Sequence, residues 1–95
     1  MSDNMASGKP TLMQLRRQHN AKADTPITSK QIAELAAVHV SDEFLVELGR
    51  PVNVATATSV INAFNTLTGQ HYTFNDIEVS VKKDEPEVPR GRWLA

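Results

Sequence analysis

ITSKQIAELAAVHVSDEFLVELGR, residues 27–50, holds the strongest fold signal in the chain. Thr28-Ser-Lys-Gln31 has the spacing of a capping box, in which a hydroxyl and an amide side chain satisfy backbone donors left open at a helix start. The helix that follows directs Ile32, Leu35 and Ala36 inward and Lys30 and Glu34 outward, and Ala33 and Ala37 are small enough for a second helix to cross closely. Val38-His39-Val40 makes the turn, and Ser41 is a natural N-cap for the next helix. Asp42 and Glu43 fall in its first turn, where negative charge meets the positive end of the helix dipole. Phe44, Leu45, Val46 and Leu48 supply apolar content, and Gly49 ends the helix as a left-handed cap. The stretch therefore predicts two short helices joined by a tight turn.

On the N-terminal side, Thr11-Leu-Met-Gln14 repeats the capping-box spacing. Leu12 and Leu15, with His19, share one face of the resulting helix; Arg16, Arg17 and Gln18 take its wetter sides, and the pattern fades near Lys22. Ala23 to Ile27 is a loop punctuated by Pro26. On the C-terminal side Pro51 cannot continue the second helix, and Asn53 is placed to cap another. Val54, Ala57, Val60, Ile61, Phe64 and Leu67 give that helix the longest regular stripe in the chain, and Gly69 closes it. Tyr72, Phe74 and Ile77 then return to the core, with a single helical turn at residues 75–77. Ile77 to Val81 alternates apolar and polar, the period of a half-buried strand. One strand needs a partner, from a neighbouring segment or a second copy. The expectation is an all-α domain over residues 11–81: a compact bundle of about five short helices with a short C-terminal β-strand. Residues 1–10 form a disordered polar tail and residues 82–95 a flexible mixed-charge tail, with Trp93 and Leu94 as a small apolar patch that could anchor a partner.

Composition narrows the function classes. Ninety-five residues allow one modest domain. Cysteine is absent, which removes disulfides, thiolate nucleophiles and cysteine-based zinc sites. The opening MSDNMASGKP has no apolar run, so no signal peptide and no membrane span are expected, and a cytoplasmic location is. His19, His39 and His71 share no metal-ligand spacing. Ser41, His39 and Asp42 are too close along the chain to form a catalytic triad. No phosphate-binding loop is present, so neither an enzyme nor a cofactor is expected. Formal net charge is −1, against the basic excess usual in DNA-binding domains. Its distribution is uneven: residues 1–27 carry four basic and two acidic groups, residues 28–50 two basic and four acidic.

Four pieces, in order, carry a family resemblance. Leu12-Met-Gln-Leu15-Arg16, then Ile32-Ala33 with Ala36 and Val38, then Val46-Glu47-x-Gly49, and finally Pro51 with Ala57, Ile61, Phe64, Leu67 and Tyr72-Thr-Phe-Asn-Asp-Ile77 resemble the Cro/CI-like (XRE-type) helix-turn-helix domain of phage and bacterial repressors. The likeness covers residues 11–77. It implies a recognition helix in the major groove, with base-reading positions at His39, Val40, Ser41 and Leu45. Phosphate contacts are implied at the start of the second helix, Ser29, Lys30 and Gln31, and after the recognition helix at Arg50 and Asn53. Arg16 and Glu47 match a pair that forms a structural ion pair in the family. Glu43 stands where the family places an apolar residue facing the core, Leu45 where a polar base-contacting side chain is common, and the loop between Arg16 and Thr28 is longer than usual.

Two readings of function follow. One is a sequence-specific transcriptional regulator that binds double-stranded DNA as a homodimer on a pseudo-palindromic site. The other is a protein-interaction module on the same scaffold, antitoxin-like or a phage accessory protein, with DNA binding weak or lost. Asp42 and Glu43 bear on both. They complement the helix dipole, accept from cytosine amino groups, or form an acidic surface that repels DNA and favours a protein partner.

Overall fold

The computed structural model describes residues 8–82. Four α-helices follow one another: α1 Leu12–Lys22, α2 Ser29–Ala36, α3 Val40–Leu48 and α4 Val54–Thr68. The expectation of an all-α bundle holds, with four helices. The turn foreseen at residues 75–77 is a hydrogen-bonded turn, held by the Asp76 amide donating to the Thr73 carbonyl at 2.9 Å. The foreseen strand is an isolated parallel bridge between Val52 and Val81. Its bonds run from the Val52 amide to the Ser80 carbonyl (3.2 Å) and from the Lys82 amide to the Val52 carbonyl (2.7 Å). The partner of the edge is thus the connection between α3 and α4. Of the tails expected over residues 1–10 and 82–95, residues 1–7 and 83–95, Trp93 and Leu94 included, lie outside the described residues, while the Pro10 carbonyl accepts from the Glu78 amide at 2.8 Å. No described helix is long and apolar enough to cross a membrane.

The helix starts follow their local chemistry. Thr11 with Gln14 and Thr28 with Gln31 both form complete capping boxes, and the Asn53 side chain accepts from the Thr56 amide. The stops do too: Gly49 (φ 78°) and Gly69 (φ 74°) adopt the left-handed conformation that releases a helix. At Gly49 the conformation is reinforced by crowding, because a Cβ there would sit 3.3 Å from the Glu78 carbonyl oxygen.

The core gathers Leu12 and Leu15 from α1, Ile32 and Ala33 from α2, and Val46 from α3 around the buried stripe of α4, Ala57, Val60, Ile61, Ala63 and Phe64. Ile27, Val52 and Ile77 close it from the connections. Both ends of the α4 stripe reach solvent: Val54 and Leu67 are exposed. Leu35, expected inward, is half exposed beside α4, because the face of α2 that meets the core is centred on Ile32 and Ala33. Tyr72 stacks on Phe64 with ring centroids 6.0 Å apart.

Two asparagines secure the connections by one device. The Asn20 side chain accepts from the Ile27 amide (2.7 Å) and donates to the Ile27 carbonyl (2.9 Å). Asn65 does the same to Tyr72, at 2.9 Å both ways. Each amide reaches from a helix to a residue seven positions on, satisfying both backbone groups of the returning chain. In this way the long loop between α1 and α2 is tied back, so that Ile27 enters the core and Thr28 is set to start α2.

Candidate nucleic-acid interface

Helices α2 and α3 are joined by residues 37–39. Ala37 terminates α2 with φ 61° and ψ 43°, a left-handed conformation that L-residues other than glycine and asparagine rarely take. Its amide and that of Val38 reach back to the Glu34 and Ala33 carbonyls, which folds the chain sharply. Turns of this kind in helix-turn-helix units often hold glycine. Here alanine fills the position.

The start of α3 differs from the sequence expectation. The N-cap is His39, which makes no side-chain capping bond, and the first intrahelical bond runs from the Glu43 amide to the His39 carbonyl at 3.0 Å. Ser41 is therefore inside the first turn and caps nothing. The helix therefore begins two residues earlier than a Ser41 cap would set it, at Val40.

Among the base-reading positions, His39, Val40 and Ser41 are exposed. Leu45 is only half-buried and packs against the core. Phe44, which the resemblance did not single out, is 41% exposed and Leu48 42%. The outward face of α3 is thus Ser41, Phe44, Leu48 and the edge of Leu45, with Val40 at its start. Helical spacing alone shows that Phe44 and Leu48 share a side; which side faces out is set by Glu43, Val46 and Glu47 being buried.

The phosphate-contacting positions divide. Lys30 and Arg50 are exposed. The Ser29 hydroxyl points inward and donates to Glu47 Oε2 at 2.7 Å. The Gln31 side-chain oxygen accepts from the Thr28 amide at 2.8 Å, and the Asn53 oxygen accepts from the Thr56 amide at 2.8 Å. Gln31 and Asn53 thus shape helix starts, whose first backbone N–H groups have no acceptor within the helix and suit an anion, while Ser29 is engaged in the interior.

Beneath α3 lies a cluster of charge. Arg16 Nε and Nη2 each sit 3.1 Å from Glu47 Oε1, and Nη1 donates to the Ile27 carbonyl at 3.2 Å. The ion pair implied by the resemblance is present, and it ties α1, α3 and the loop before α2 together. Glu43 corrects the picture of an acidic surface. Its side chain is fully buried, like that of Glu47, and neither of its carboxyl oxygens has a hydrogen-bond partner. Burial pushes its pKa from 4.5 up to about 9; the neighbouring Glu47 carboxylate adds to the rise, and Arg16 and Ser29 oppose it. Only Asp42 of the two carboxylates is exposed. The position where the resemblance implies an apolar, core-facing residue is indeed core-facing, and glutamate occupies it.

No protein-family model, curated protein or solved structure matches the chain. The site is therefore argued from its own geometry. That geometry brings His39, Val40 and Ser41 together on one exposed turn and replaces Leu45 by Phe44 on the outward face.

Proposed function

We propose that this protein is a DNA-binding transcriptional regulator of the helix-turn-helix class, acting as a homodimer on double-stranded DNA in the cytoplasm. The observation that carries the reading is the α2–α3 unit. A short helix, a three-residue turn and a second helix with its outer face in solvent are braced from behind by the Arg16–Glu47 pair. Inserted in a major groove, α3 presents Val40 and Phe44 to thymine methyls and Ser41 and His39 to polar base edges. Lys30, Arg50 and the start of α2 supply phosphate contacts on its flanks.

The test is an anisotropy titration of fragmented genomic DNA at two salt concentrations. Binding that weakens steeply with salt is expected, and no binding at low salt sinks the reading. Lys30→Ala should weaken binding to all sequences alike, whereas Ser41→Ala should alter the preference among them; equal effects of both on every sequence would contradict these roles.

A specific observation favours a second reading, a protein-interaction module with weak or lost DNA binding. Val40, Phe44 and Leu48 make the exposed side of α3 largely apolar, and exposed Glu34 and Asp42 balance Lys30 and Arg50. Under that reading the wild-type chain binds no DNA fragment at low salt, while Glu34→Lys combined with Asp42→Lys creates salt-sensitive binding. Glu43 is unsuitable for such a reversal because it is buried.

A further inference from the structure

Glu43 and Glu47 lie one helical turn apart on α3, both with no exposed surface, and among the described residues a single cation, Arg16, faces them. Glu47 is satisfied by Arg16 and by the Ser29 hydroxyl. Glu43 has no donor. Apart from the Ser29 hydroxyl, which is turned to Glu47, the packed elements offer none among the described residues: Arg17 and Lys22 of α1 and Lys30 and Glu34 of α2 are exposed, His19 of α1 lines a pocket with Phe64 and Tyr72, and α4, which also packs on α3, has no ionisable side chain. Two ionised carboxylates are acceptors only, so neither can bond the other. A second buried anion against one guanidinium would be uncompensated. A proton on Glu43 removes the charge and supplies a donor that its neighbour Glu47 can accept.

We propose that Glu43 and Glu47 hold one proton between them, and that losing it releases the first turn of α3 from the body of the protein. That turn is lightly secured. It has no side-chain cap, its first bond is the one from the Glu43 amide to the His39 carbonyl, and the residue ending α2 is held at positive φ. Fraying it carries Glu43 into water while Val46 and Glu47 in the next turn stay seated. The sign follows from the raised pKa of Glu43. The latched form is fully favoured below about 4.5 and loses a factor of about ten in its equilibrium constant per pH unit as pH rises towards about 9. In the DNA-binding reading this turn carries His39, Val40 and Ser41, so DNA affinity declines at alkaline pH; that consequence alone rests on that reading.

Carbon-13 NMR of the side-chain carboxyls, on the full chain, tests the latch directly. One carboxyl of the pair should titrate far above the ordinary glutamate range, and the backbone amides of residues 39–43 should shift with the same midpoint. In Glu43→Gln, which keeps the shape and can donate to Glu47, the alkaline titration should vanish and those amides should stay unchanged. Glu43→Met serves the same purpose if the glutamine variant does not fold. Both carboxyls titrating below about pH 6, or an alkaline titration that leaves the first-turn amides unmoved, would overturn the proposal. No DNA enters these measurements, so their failure leaves the DNA-binding reading untouched, and absence of DNA binding leaves the latch standing.

Discussion

Ala37 shows how one residue can be wrong for its conformation and still be tolerated. Its positive φ ends α2 and aims α3, yet its Cβ carries the penalty of the left-handed region, about 1–2 kcal/mol. The side chain is exposed, so nothing it touches offsets that penalty. Ala37→Gly should therefore stabilise the fold by about 1 kcal/mol, the relief of strain being reduced by the greater freedom of glycine in the unfolded chain. Urea unfolding of the two chains decides it; an unchanged or lower midpoint would mean that the turn relaxes in solution. Glu43 is the opposite case, a residue whose position is right for the helix and whose chemistry is wrong for the core. At neutral pH its cost is that of keeping a proton. Stability is expected to fall between about pH 4.5 and about pH 9, by up to about 1.4 kcal/mol per unit, and Glu43→Gln should flatten that slope.

At the scale of elements, caps and stops were legible because they depend on neighbours in the chain. Thr11, Thr28 and Asn53 start helices, and Gly49 and Gly69 end them, through contacts three or four residues away. Ser41 was misread for the same reason. Its type is right for a cap, but the helix starts two residues earlier, with His39 at the N-cap. The asparagine ties are also elements of order, although the seven-residue gap gives no periodic signal. Asn65→Ala should cost about 1–3 kcal/mol, since both backbone groups of half-buried Tyr72 lose their partners. Amide exchange at Tyr72 is the local readout, and protection equal to wild type would show that water replaces the side chain without loss.

For the whole molecule, the core is completed from connections as well as helices. Ile77 is fully buried although it lies nine residues beyond α4, and its insertion draws the chain back beside Val52. Ile77→Ala should cost about 2–5 kcal/mol through the cavity it leaves. Val81→Ala, at a position 38% exposed, should cost less than about 1 kcal/mol. Comparable losses in thermal unfolding of the two variants would contradict the view that the closing segment is held by Ile77 and not by the bridge.

Local sequence was enough to place the starts of α1, α2 and α4 and the glycine stops of α3 and α4, to give α4 its long stripe, and to make residues 27–50 two helices around a tight turn. These follow from capping, left-handed glycines and three-four spacing, all short-range. Only the tertiary structure decided which way α3 faces. Rotation of a nine-residue helix is set by what its neighbours offer. Val46, Glu43 and Glu47 pack inward, where Arg16 and Ser29 meet Glu47, and this turns Phe44 outward in place of Leu45. The same packing makes one of two adjacent acidic residues a surface charge and the other a buried acid, a difference of environment that no local pattern encodes.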